Sequence, residues 1–180
     1  MRGPGFADFS VAEVPYLAGL PRLIDRVLFV VIGALLAAMV VDVTIQVFYR
    51  YVIQDPPTWT EELARYLFAW TIFLAMALAF SRGSHIVVDA LITAVPRPVR
   101  RVLLFASNLL VLALLLVLIW QGIGMVGLTS NTTSTAMGLN MGIVYASLPT
   151  GALIAAMYVV ITLVNIVRGV DRSSQTLLMD

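Results

Sequence analysis

The sequence predicts an all-α integral membrane protein: four transmembrane helices plus a short interfacial amphipathic helix between the second and third. Three observations predict it. Of 180 residues, 61% are hydrophobic and 12% are charged, whereas soluble domains carry about 45–50% and about 25%. Four segments are apolar enough, and close to the roughly 20 residues needed, to cross about 30 Å of hydrocarbon. No segment alternates like a barrel strand, and backbone polar groups in lipid must be satisfied within a helix. The composition excludes disorder, a nucleic-acid partner and an ordinary soluble enzyme. The absence of cysteine excludes disulfide frameworks, thiolate metal sites and cysteine nucleophiles. A single histidine excludes bis-His haem ligation. No cofactor and no metal site is expected.

Residues 1–21, punctuated by Gly and Pro, read as a loosely ordered N-terminal segment. The membrane domain is expected over 22–172, followed by a C-terminal tail, 173–180. The first span covers about 27–49, with Asp42 its only formal charge. It is too long for a signal-peptide core and lacks a small-residue cleavage site, so it reads as a retained helix.

The following turn, 50–62, carries Pro56 and Pro57, which stop helix one from continuing. Thr58 and Glu61 have capping-box spacing for helix two. Glu61 and Glu62 suit a helix N-terminus, and Tyr51 and Trp59 suit the interface belt.

The second span covers about 63–80. Residues 84–95 then read as the interfacial arm helix, in which Arg82, His85, Asp89 and Thr93 fall on one stripe. About 12 residues reach roughly 18 Å, too short to span, so this helix lies in the interface. His85 and Asp89 read as a local pair, with a pH sensor as the alternative. Pro96 and Pro98 end the arm, and Arg97, Arg100 and Arg101 meet lipid headgroups.

The third span, about 102–128, is uncharged but carries Asn108 and Gln121, which ask for protein partners. The uncharged loop 129–142 is rich in turn formers, so Gly138 and Gly142 mark a turn rather than a helix-packing motif. The fourth span, about 143–167, is also uncharged, and Pro149 predicts a modest kink.

All 11 basic residues are Arg. Nine lie on the side holding the N-terminus, the 81–101 connection and the C-terminus; only Arg50 and Arg65 lie opposite. That bias predicts cytoplasmic termini.

Charge inside a span needs a partner or a job. Asp42 and Arg65 both lie roughly 9–11 Å below the outer helix ends, which predicts an Asp42–Arg65 ion pair, with Glu61 reaching Arg65 from i−4. The alternative is that Asp42 is a coupling-ion or proton site. Asp42, Gln46 and Arg50 form a polar stripe that must face protein or water. There is no phosphate loop, metal-ligand cluster or serine triad, so the chain does not read as an enzyme.

The run Gln46-Val47-Phe48-Tyr49-Arg50-Tyr51, then Trp59-Thr60-Glu61-Glu62-Leu63-Ala64-Arg65, then Arg82-Gly83-Ser84-His85-Ile86-Val87-Val88-Asp89, resembles the small (DctQ-like) membrane subunit of TRAP, or tripartite ATP-independent periplasmic, transporters. The motif stretch covers residues 46–89; the later spans resemble the family only in hydropathy. Two features depart from the family pattern. The extension before Arg22 is longer, and Asp42 stands where an apolar residue is expected, so no family role is carried to Asp42.

The resemblance implies a non-catalytic scaffold in the bacterial inner membrane. It would bind a large elevator-type membrane subunit of about twelve spans, supplied by a periplasmic substrate-binding protein and surrounded by membrane lipids. The complex would import an organic acid with an ion gradient, Na+ being the expected ion. Gln46, Arg50, Trp59, Glu61, Glu62 and Arg65 become an outer positioning and contact cluster, and Arg82, His85 and Asp89 the polar stripe of the arm. The competing reading is a stand-alone ion-coupled transporter, a homodimer acting through Asp42.

Overall fold

The computed structural model describes residues 19–81 and 97–168. The interfacial arm 84–95, with Arg82, His85 and Asp89, lies outside the described residues, as do most of the N-terminal segment and the whole 173–180 tail. Helix α1 is Gly19–Phe48 and runs on through a π turn, Tyr49–Ile53. Helix α2 is Thr58–Ser81, α3 is Arg97–Thr129, α4 is the single-turn Met141–Tyr145, and α5 is Ser147–Val167. No strand occurs among the described residues. Four stretches are long and apolar enough to cross a membrane: Leu23–Ile53, Thr58–Ser81, Val102–Thr129 and Met141–Val167.

These spans form a row rather than a closed bundle. Helix α1 packs on α2, α2 on α5, and α5 on α3, leaving α1 and α3 as the edges. The central helices supply most of the core. From α2, Leu74, Ala77 and Leu78 are buried at helical spacing, and from α5 Ala152, Ala155, Ala156 and Val159. Small residues dominate because apolar contact between helices gains little over contact with lipid; close approach of backbones gains more. Gly151 shows how close α2 and α5 come: a Cβ there would lie 2.5 Å from the Phe73 carbonyl oxygen. At the α3–α5 seam, a Cβ on Gly122 would lie 2.8 Å from Pro149 Cδ. The edges are the opposite. Phe29 and Val30 of α1 and Leu110 and Trp120 of α3 are largely exposed, Trp120 by 80%.

Helix one stops ahead of the prolines, as expected, but runs beyond the expected end at 49: it widens into the π turn and ends at Gln54, whose φ of 61° and ψ of 21° are left-handed. One local expectation is corrected. The capping box of Thr58 and Glu61 does not form. Thr58 is already helical, and Glu61 turns to Arg50. The hydroxyl that touches the entry is that of Thr60, which donates to the Pro57 carbonyl at 2.8 Å. At the proline in the fourth span the helix is locally irregular but continuous: Ala146, between α4 and α5, keeps a helical φ of −63° and ψ of −18° and its N–H donates to the Gly142 carbonyl at 2.9 Å, while Pro149 has no N–H to offer the preceding turn.

Candidate functional site

The end of the row that carries the 50–62 turn and the 129–141 loop holds most of the polar chemistry. The loop is built from its own turn residues. Thr133 and Asn140 form an isolated antiparallel bridge. The Ser134 N–H donates to the Leu139 carbonyl at 2.8 Å, and the Met141 N–H to the Thr132 carbonyl at 2.9 Å. Gly138 closes the turn with φ of 65°, a conformation that suits glycine. The expected turn is therefore present. Asn140 caps α4: its Oδ1 accepts from the Gly142 N–H at 2.8 Å, and its Nδ2 donates to the Ser130 carbonyl at 2.5 Å.

Glu62 joins this loop to α2. The residue is 7% exposed. Its Oε1 accepts from the Ala136 N–H at 3.1 Å and its Oε2 from the Met137 N–H at 3.2 Å. The hydroxyls of Ser134 and Tyr66 also support the carboxylate, and the Tyr66 hydroxyl lies 3.4 Å from Met141 Sδ. Donors on two successive backbone amides hold both oxygens at once, so the carboxylate acts as a clasp. Because Glu62 and Tyr66 start α2 while Met141 starts the last span, α2 and α5 begin at the same end and run parallel.

Glu61, next in the chain, points the other way. It lies 3.6 Å from an Arg50 guanidinium nitrogen, and both side chains are exposed. Trp59 is also exposed, as is Arg65. The structure thus splits the cluster expected from sequence. Glu62 is internal, Gln46 is half-buried, and Arg50, Trp59, Glu61 and Arg65 are each exposed.

The Asp42–Arg65 ion pair is not formed. Asp42 is 3% exposed, and neither of its oxygens has a hydrogen-bond partner. Arg65 is on the outside of α2, where its long side chain can reach water. Glu61 does not reach Arg65 either, being held by Arg50. The polar stripe of α1 therefore changes surroundings along its length, from buried Asp42 to half-buried Gln46 to exposed Arg50. Burial of Asp42 within its own chain also removes it from any surface a second copy could reach. In α3, Asn108 satisfies itself by donating to the Leu104 carbonyl at 2.8 Å, whereas Gln121 is exposed.

One contact escaped the sequence reading. The Tyr158 hydroxyl of α5, otherwise buried, donates to Asp25 Oδ1 at 2.6 Å. It ties the last span to the start of α1, across α2. The only signals were one of two phenols in an uncharged span and an acid just before the first one, 133 positions apart in sequence.

Residues 39–169 match the family model described as tripartite ATP-independent periplasmic transporters, DctQ component. A Haemophilus influenzae protein bearing the name of a TRAP transporter small permease is 29% identical over 144 residues, 79% of this chain and 89% of that protein. The sialic acid TRAP transporter small permease protein SiaQ of Vibrio cholerae is 30% identical over 93 residues, 52% of this chain and 54% of that protein. The isethionate TRAP transporter permease protein DctMQ of Oleidesulfovibrio alaskensis is 31% identical over 129 residues, 67% of this chain but only 20% of that protein. In the last case the similar region is one part of a much longer permease.

Proposed function

The chain belongs to the DctQ component family of tripartite ATP-independent periplasmic transporters, and from that premise we propose that it is the scaffold of its transporter, binding and steadying a large elevator-type membrane subunit. It is a multi-pass inner-membrane protein and a component of a transporter, a family without catalytic identity. The match over residues 39–169 carries the reading. The long relative in which a similar region is continuous with the rest of a permease supports a stable pairing with a large subunit. The open row of helices supports it physically, because a row exposes apolar faces that a closed bundle would hide.

In this reading the Arg bias sets both termini in the cytoplasm, and the loop end faces the periplasm. The Glu62 clasp makes that end rigid. The exposed surface of Arg50, Trp59, Glu61 and Arg65 is then available to the large subunit or to a periplasmic substrate-binding protein. The two relatives named for sialic acid and isethionate point to an organic acid as cargo, taken up with an ion gradient, with Na+ the proposed ion. Substrate and ion would be bound by the large subunit, which leaves this chain no need for a ligand site.

The test is affinity purification of the tagged chain from its native membrane in mild detergent. A one-to-one companion with many spans is the expected result. Recovery only as a monomer or homodimer, under conditions that keep other membrane complexes intact, overturns the reading.

A further inference from the structure

We propose that Asp42 holds a proton: it stands as a neutral carboxylic acid where α1 packs on α2, and release of that proton loosens α1 from the row. The grounds lie in this chain alone and do not depend on the partner reading above. Asp42 sits within the Leu23–Ile53 span, eleven residues from its end, or roughly 16 Å at about 1.5 Å per residue. It is 3% exposed, and both carboxylate oxygens lack a partner.

The charges that could answer it are occupied or elsewhere. The helix packed against α1 is α2, whose ionisable residues Glu61, Glu62, Arg65 and Tyr66 all lie in its first nine positions. Glu61 pairs with Arg50, Glu62 and Tyr66 engage the 129–141 loop, and Arg65 is exposed. Near the other end of α1, Asp25 accepts from Tyr158 of α5, and Arg26 is exposed. No cation among the described residues meets Asp42.

An unpaired charge in such a place is neutralised rather than kept. Taking up a proton does this, and a rotation of the side chain would bring the new O–H to the Ala38 carbonyl one turn back, the kind of bond the Thr44 hydroxyl makes to Val40 at 2.7 Å. Ionisation reverses the balance. A carboxylate there must draw in water or leave, and α1, an edge helix packed on α2 and tied to α5 through Asp25 near its far end, is the element that can move. The sign follows from linkage: the packed state binds the proton, so the α1–α2 contact is strongest when Asp42 is protonated and weakens as pH rises through its titration.

The test uses the full chain in lipid nanodiscs and infrared spectroscopy. At neutral pH the wild type should show the C=O stretch of a protonated carboxylic acid. The band should shift with carbon-13 aspartate labelling, which needs no variant, and be missing from Asp42→Asn. Spin labels on Val40→Cys and Phe68→Cys, both exposed sites in a chain without native cysteine, then report the α1–α2 distance. The distance distribution should widen as the band is lost at high pH, and stay narrow in Asp42→Asn. Absence of the band at neutral pH overturns the proposal. So does a band that appears only in Arg65→Gln, which would reveal an ion pair with Arg65. A distance that ignores loss of the band overturns the loosening step.

Discussion

Glu61 and Glu62 are adjacent and chemically alike, yet their roles diverge. Glu62 faces the loop and binds two backbone amides; Glu61 faces out and meets Arg50. Replacing Glu62 with Gln should therefore free the 129–141 loop. Hydrogen exchange at the amides of Ala136 and Met137 should quicken, and the thermal midpoint should fall. Replacing Glu61 with Gln should leave both unchanged, since an exposed ion pair contributes about 0–1 kcal/mol. A different expectation applies to Tyr158→Phe. It removes a 2.6 Å bond to a carboxylate and nothing else of the side chain's shape. The loss should be about 1–3 kcal/mol, read as a lower midpoint of unfolding in detergent. An unchanged midpoint would mean that the α1–α5 tie contributes nothing. If Arg50, Trp59 and Arg65 form a contact surface, then Arg65→Ala should fold normally and lower the yield of the co-purified large subunit.

Helices in this chain are specified by different devices at their ends. The first closes through a π turn and a left-handed Gln54, the second opens with the Thr60 hydroxyl on Pro57, and the fourth span is locally irregular at Ala146, ahead of Pro149. Their packing depends on missing side chains. At Gly151 a methyl group would strike the backbone of Phe73, which is part of a helix and cannot turn aside. Gly151→Ala should therefore push α2 and α5 apart and cost about 1–3 kcal/mol. Gly124→Ala is the control: a Cβ there meets nothing within 4 Å, and alanine is the better helix former. Its midpoint should hold or rise. Equal losses from both variants would show that helix propensity, and not close approach, decides stability here.

At the scale of the molecule, the arrangement is a row with two open faces and two apolar edges. Lipid can cover the apolar faces, but it cannot satisfy Gln121 on the α3 edge. A row also resists bending less well than a closed bundle, because each edge helix packs along one neighbouring span only. The complex with a large subunit should accordingly unfold at a higher temperature than the chain alone, through binding to the folded form. Equal midpoints, measured in the same detergent, would count against a scaffold that relies on its partner.

Much of this was determined by the sequence alone. Chain composition and four long apolar runs decided an all-helical membrane protein, because lipid leaves the backbone no other way to satisfy its hydrogen bonds. The motifs around Arg50, Trp59–Arg65 and Arg82–Asp89 were enough to indicate the family. Residue count had set Asp42 and Arg65 at similar depth, but α1 runs on through the π turn to Ile53, which leaves Asp42 deeper than Arg65. What residue count could not supply was rotation about each helix axis. Only the tertiary structure decided that Asp42 faces inward while Arg65 faces outward, that Glu62 rather than Glu61 enters the loop, and that Tyr158 meets Asp25. Between apolar helices in lipid, no hydrophobic stripe marks the contacting face. The rotation is set by where small residues such as Gly151 let backbones touch, a property of pairs of helices and not of any one of them.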